Sequence, residues 1–196
     1  MHKKNLVLAW AALLWPLPAV HAQEAAGKGG SIQAAVGVGA QEGNEEGGLG
    51  VVYALGYLKS WGAAARWRFN PQIVCGEFSS AGFTDRQDQF YRTTSAGVAV
   101  HYDVLRYRAV AVVVSGGGSA SYARGLLGTG GEQQLPTEGS RYFHRLYFSA
   151  NGGVGLRVSP TQGRLAYEFR PLTLQVGTKG FFMGYATVGL EVKLHR

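Results

Sequence analysis

The chain has 196 residues, a formal net charge of +7, 30 glycines and a single cysteine, Cys75. This length suits one domain with a full core, and a lone cysteine excludes an intrachain disulfide. The positive charge does not predict nucleic-acid binding, because the lysines and arginines are scattered singly and form no basic run.

The first 22 residues have the three parts of a secretory signal peptide. A short positive start precedes an apolar run from Leu6 to Leu17, which is too short to span a bilayer, so we favour a cleaved signal over an uncleaved membrane anchor. Val20 and Ala22 are the small residues expected before a cleavage site, and the mature chain should begin at Gln23. No later run of about 18 or more apolar residues encodes a transmembrane helix.

Apolar and polar residues alternate along the rest of the chain, which is the period of a β-strand. Near the C-terminus, Val188, Leu190 and Val192 share one face, while Thr187 and Glu191 share the other. The pattern predicts eight strands, near residues 31–41, 48–58, 64–78, 89–103, 107–122, 141–158, 164–176 and 181–194. Most reach the roughly 9–11 residues that a tilted strand needs to cross a bilayer, whereas strands of soluble proteins average about 5–6.

Short links between these strands alternate with longer ones, as in outer-membrane barrels with short periplasmic turns. The short links are 59–62, 104–106 and 159–163, and the outer links are 42–47, 79–88, 123–140 and the shorter 177–180. The longest outer loop, 124–140, is a candidate for contact with a partner of unknown chemistry. Within the strands, Pro71 and Pro171 each predict a bulge, and the glycines at 116–118 predict a bulge or a flexible upper strand.

The apolar face is rich in aromatic residues, which favours a lipid-facing exterior with aromatic girdles. The aromatic members are Tyr53, Tyr57, Trp61, Trp67, Phe69, Tyr102, Tyr142 and Phe182. The alternative is a soluble barrel or sandwich with that face inward. We predict an all-β fold, an eight-stranded antiparallel up-and-down transmembrane β-barrel. The predicted segments are a cleaved signal peptide (1–22), a short linker (23–30) and the barrel domain (31–195).

Charged residues on the polar face would project into the narrow lumen, where they must pair or stay hydrated. They are Arg66, Arg68, Arg145, Arg157, Glu168, Arg170, Glu191 and Lys193. We predict an Arg–Glu network that plugs the barrel and places Glu168 and Glu191 beside basic partners. A narrow conducting pore is the alternative.

An enzyme that modifies lipid would need a serine nucleophile, a histidine base and an acidic residue within hydrogen-bond reach. His144 and Ser149 lie on opposite faces of one strand, so they cannot converge. His101, Asp103 and Ser95 share a face, but they are simply interpreted as polar residues at the periplasmic rim. No catalytic motif or metal-binding histidine pair is present, so we predict no catalytic, cofactor or metal site.

The last strand resembles the C-terminal assembly signal of outer-membrane proteins, with Thr187, Gly189, Val192 and Leu194 in the matching positions. It departs from that pattern at its end, where Leu194-His195-Arg196 replaces the usual final aromatic residue. The mature chain resembles the small outer-membrane barrels, namely the OmpA-like, OmpX-like and opacity-type proteins and the barrel families of the Bacteroidetes. The resemblance rests on length and pattern over residues 31–194.

The resemblance implies a Gram-negative outer-membrane location and a non-enzymatic role in envelope structure, adhesion or envelope integrity. The implied partners are outer-membrane lipid and, during insertion, the barrel-assembly machinery. A lipid-modifying enzyme and a narrow channel remain the alternatives.

Overall fold

The computed structural model describes residues 29–62, 65–80, 89–128, 140–160 and 163–194. The predicted signal peptide and most of the predicted linker lie outside these residues. No helix within the described residues is long and apolar enough to cross a membrane.

Eight strands form one closed barrel in which each strand pairs antiparallel with its neighbours in the chain. The strands are β1 (Gly30–Glu42), β2 (Gly47–Trp61), β3 (Trp67–Ser79), β4 (Phe90–Tyr107), β5 (Val110–Gly128), β6 (Ser140–Val158), β7 (Leu165–Gly177) and β8 (Phe182–Lys193), and a short 3-10 turn covers Thr178–Gly180. β8 pairs with β1 and closes the barrel. The predicted eight-stranded antiparallel barrel is therefore confirmed.

The two faces of the wall follow the alternation of the sequence. In β8, Val188, Leu190 and Val192 point outward and are exposed, while Thr187 and Glu191 point inward and are buried. The same rule holds in β1, where Val36 and Val38 are exposed, and it confirms the predicted outward apolar face.

Two proline positions behave differently. The pairing of β7 shifts by one residue at Pro171, against both β6 and β8, so the predicted bulge is confirmed there. The bulge predicted at Pro71 is wrong, because β3 keeps one register with β2 and with β4 on both sides of it.

The turn between β4 and β5 lies later than predicted. β4 continues through Val104 to Tyr107, with a register shift between Asp103 and Leu105, and Tyr107 pairs directly with Val110. Arg108 takes a left-handed backbone conformation (φ 52°) in this tight turn, and φ > 0 is what two-residue hairpins require.

The glycines at 116–118 form neither a bulge nor a flexible end, because they pair in unbroken register in the middle of β5. A Cβ added to Gly117 would lie 2.0 Å from the backbone oxygen of Val98. Glycine is therefore required here by the close approach of β4 and β5.

The barrel has two distinct ends. The turn end carries the hairpins that follow Trp61, Tyr107 and Val158, together with the start of β1 and the end of β8. The loop end carries the connections that follow Glu42, Ser79, Gly128 and Gly177. The segment 124–128, predicted as part of the longest loop, belongs to β5, and 129–139 lies outside the described residues.

Candidate functional site

The lumen at the turn end contains a layer of buried charges, named here the charged layer. Its strongly buried members among the described residues are three bases and three acids, namely Arg68, Arg157, Arg170, Asp103, Glu168 and Glu191. They come from β3, β4, β6, β7 and β8, so the layer links strands on opposite sides of the barrel.

Glu191 is held from several sides. Its carboxylate accepts hydrogen bonds from Nε and Nη2 of Arg157 (2.8 and 2.9 Å) and from the hydroxyl of Ser31 (2.6 Å). Nη1 of Arg68 lies 3.8 Å from the same carboxylate. Two parallel N–H donors from one guanidinium make this a bidentate ion pair, the stronger kind.

Glu168 is the centre of a second buried pair. It accepts a hydrogen bond from Nε of Arg170 at 2.6 Å and another from the side-chain amide of Gln33 at 2.7 Å. The guanidinium of Arg170 also lies 3.3 Å from Nδ1 of His101. Both acids of the predicted lumen network therefore lie in ion pairs with predicted bases.

Asp103 is a member of the charged layer that the sequence interpretation placed at the rim. It is fully buried, and its two carboxylate oxygens each lie 2.6 Å from a guanidinium, that of Arg68 on one side and that of Arg106 on the other. Asp103 and His101 are two residues apart, so the sequence already placed them on the same inward face of the strand. The position was misjudged because β4 extends beyond the predicted turn.

Three residues of the predicted network lie outside the charged layer. Arg66 is half-buried in the turn before β3, where its backbone oxygen accepts a hydrogen bond from the Asp103 amide. Lys193 is half-buried at the end of β8. Arg145 lies near the loop end, 2.9 Å from Glu45, so its assignment to one network with Glu168 and Glu191 is wrong: β6 is long enough to carry Arg145 and Arg157 at opposite ends.

The residues considered for catalysis do not form a triad. His101 contacts Asn70 and Arg170, and Ser95 lies 2.7 Å from the hydroxyl of Ser121. Asp103 is engaged by arginines. His144 is exposed on the outer wall, whereas Ser149 is buried in the lumen. The described side chains therefore do not bring a serine, a histidine and an acid into the hydrogen-bonded arrangement that nucleophilic catalysis needs.

The lumen at the loop end is apolar and aromatic, and this aromatic layer was missed by assigning polar residues to the whole inner face. Its largest members are Phe78, Tyr91, Phe143, Tyr147, Phe181 and Met183. Their rings stack or meet edge to face, with centroid distances of 4.8–5.9 Å. The available signal was the presence of consecutive aromatic residues, one on each face of the strand, near the loop ends of β4 and β6, namely Phe90-Tyr91, Tyr142-Phe143 and Tyr147-Phe148.

The β1–β2 hairpin covers part of the loop end. Glu46 is buried and accepts a hydrogen bond from the hydroxyl of Tyr147, and Glu45 pairs with Arg141 and Arg145 on β6. These contacts join the hairpin to a strand that is distant in the sheet. The hairpin thereby covers part of the aromatic layer at the loop end.

A small cavity of about 10 Å³ separates the two layers and has room for about one water molecule. Its polar lining includes Gln33, Gln72, Glu168, Arg170 and Thr187.

The predicted assembly-signal residues lie on β8, which closes the barrel, except Leu194, which follows it directly. Thr187 and Gly189 face inward, whereas Val192 and Leu194 face outward. Thr187, Gly189 and Val192 pair with β1. Their role in assembly stays a prediction.

No protein-family model and no curated protein sequence matches the chain. Among solved structures, the chain is similar to Neisserial surface protein A, with a TM-score of 0.59 and 13% identity over 84% of this chain and 97% of that one. It is also similar to Ail, the attachment invasion locus protein of Yersinia pestis, with a TM-score of 0.56 and 12% identity over 85% of this chain and 99% of that one. The protein has the fold of the small outer-membrane β-barrels. The likeness predicted from the sequence pattern is confirmed at the level of the fold.

Proposed function

We propose that the protein is an integral barrel of a bacterial outer membrane, with a closed lumen and a structural or adhesive role. The observation that carries this proposal is a wall that is apolar outside on all eight strands around a lumen filled by two packed layers. Soluble monomers rarely expose contiguous apolar patches larger than a few hundred Å². Exposing such a wall to water is unfavourable, whereas a lipid environment covers it with apolar acyl chains.

The filled lumen argues against a channel. An eight-stranded barrel is just wide enough for side chains to fill it. Here an ion would have to pass both the stacked rings of the aromatic layer and the paired guanidinium and carboxylate groups of the charged layer. The proposed role is also non-enzymatic, since the candidate histidines, serines and Asp103 are engaged in structural contacts or separated by the wall.

The shape of the loop end favours an adhesive role among the non-enzymatic ones. β6 pairs with β7 only up to Ser149, but it continues to Ser140 in register with β5. On this projecting hairpin Tyr142 and Leu126 are exposed at 60% and 47%, and Phe90 on β4 is exposed beside them at 59%. Exposed apolar groups at the loop end of the wall provide a surface for a partner. Among the similar proteins, Ail is named for attachment and invasion.

The membrane part of the proposal is tested by fractionation and by gel mobility before and after boiling. We expect the full-length gene product to enter the outer membrane and the unboiled protein to migrate faster than the boiled protein. Recovery in a soluble fraction, with one mobility in both conditions, would contradict the membrane assignment. Insertion by the barrel-assembly machinery predicts that depletion of that machinery lowers the heat-modifiable fraction.

The closed lumen is tested separately in planar bilayers. We expect background conductance for the wild type and for Glu168→Gln, because the aromatic layer remains in place when the charged layer is damaged. Stepwise conductance of the wild type would support the channel alternative.

A further inference from the structure

The outer wall carries one line of charged and ionisable side chains inside its strands. Glu77 on β3 pairs across the sheet with Arg92 on β4, Arg92 pairs with Arg124 on β5, and Arg124 pairs with His144 on β6. Apart from Lys59, near the turn end of β2, the other outward positions away from the ends of the described strands are apolar, small or uncharged. Arg92, Arg124 and His144 are named here the basic row.

The basic row lies at the height expected of one membrane interface. At the turn end, Trp61, Trp67 and Tyr102 form a continuous aromatic line across β2, β3 and β4, which is typical of the other interface. Positions ten residues apart on a strand are about 33 Å apart, or about 25 Å along the axis of a tilted barrel. Arg92 and Tyr102 on β4 have this spacing, and about 25 Å is the height of the apolar band of such barrels.

The protein balances only part of the charge of the basic row. Arg92 pairs with Glu77 in an exposed ion pair, with the two side chains 52% and 40% exposed. Arg124 is exposed, and no carboxylate partner is found for it among the described residues. Like charges directly opposite each other on a sheet repel and destabilise the pair. An anion between Arg92 and Arg124 would remove this repulsion.

We infer that the basic row binds a phosphate group of lipid A, the phosphorylated glycolipid of the outer leaflet. The inference rests on the proposed function, since it needs a wall that faces lipid. Guanidinium groups donate paired hydrogen bonds to phosphate oxygens. The outward Tyr122 and Leu146, one step from the row toward the middle of the wall, pair with each other and offer an apolar surface for the acyl chains.

The test measures the affinity of the refolded mature protein for lipid A in phosphatidylcholine vesicles, by native mass spectrometry after mild detergent extraction. The test variant is the double substitution Arg92→Gln/Arg124→Gln. The matched control is Lys59→Gln, which removes an exposed basic residue from the turn end of the same wall. A separate arm adds inorganic phosphate as a competitor, to distinguish a lipid headgroup from free phosphate.

We expect the double variant to bind lipid A about tenfold more weakly than the wild type, because two charge-assisted contacts are lost. Lys59→Gln should bind as the wild type does, and Glu77→Gln should bind more tightly because it frees Arg92. Inorganic phosphate should not displace lipid A, since it lacks the acyl chains.

Equal affinity of the wild type and the double variant would overturn the inference, and so would full competition by inorganic phosphate. Each vesicle sample is also run unboiled on a gel. A variant that shows the fast-migrating form yet binds lipid A like the wild type contradicts the inference alone. A wild type without that form contradicts the proposed function and the inference together.

Discussion

Glu191→Gln is the substitution that most directly measures the charged layer. It keeps the size of the side chain but removes the charge that receives both N–H donors of Arg157, at 2.8 and 2.9 Å. Glu191 is 2% exposed, so the guanidinium would lose its carboxylate in a place where little water can replace it. Breaking a buried ion pair by removing one partner typically costs about 3–5 kcal/mol.

The size of the effect is set by what remains around Arg157. Arg68 keeps its ion pair with Asp103 at 2.6 Å, and Arg170 keeps Glu168 at 2.6 Å. Neither acid is released to neutralise Arg157, so we expect a loss of about 3–5 kcal/mol in the free energy of unfolding. Removing Arg157 as well, as in Glu191→Gln/Arg157→Met, should recover much of that loss, because two buried charges disappear together.

The assay is urea unfolding in lipid vesicles, followed by tryptophan fluorescence and by the fraction of fast-migrating unboiled protein. Glu77→Gln is the matched control, because it removes an acid from an exposed ion pair on the outer wall, where such pairs contribute about 0–1 kcal/mol. Equal unfolding free energies for Glu191→Gln and Glu77→Gln would refute the reasoning, since they would show that water reaches Arg157. Additive losses in the double variant would refute the coupling of the pair.

Three further substitutions test the wall, the strand packing and the last strand. Val188→Arg places a charge on the lipid face in the middle of β8 and should cost about 2–4 kcal/mol in the same unfolding assay; a cost below that of Glu77→Gln would show that this face does not meet lipid. Gly117→Ala should lower the refolded fraction in vesicles, because its Cβ would meet the backbone of β4 at 2.0 Å, whereas Gly116→Ala, with nothing nearer than 3.9 Å, should refold normally. If Leu194 acts in assembly, Leu194→Asp should lower the heat-modifiable fraction in cells and leave the refolded fraction in detergent unchanged. Equal losses of the two fractions would show that Leu194 contributes only to stability.

Alternation predicted the polar half of the lumen, whereas it gave no basis for separating that half from the aromatic half. Glu168 and Glu191 stand at inward positions flanked by apolar neighbours, and this local pattern assigns them to the inside. Phe143 and Tyr147 lie on the same face of β6 as Arg145, so alternation alone does not separate aromatic from charged lumen residues. Which of these side chains meet in the centre depends on how far each strand extends toward the loop end, and that is decided by pairing between strands.

The sequence by itself determined the strand number, the antiparallel order and the face of most residues, because a period of two specifies a face wherever one side of a sheet must be apolar. It also indicated the bulge at Pro171, because the apolar residues change there from odd positions, such as Phe169, to even positions, such as Leu172. Only the tertiary structure decided that Asp103 joins the charged layer, that Arg145 does not, and that Arg92 and Arg124 are neighbours. The physical reason is that register and barrel closure bring together residues far apart in the chain, and neither is encoded in a local alternation.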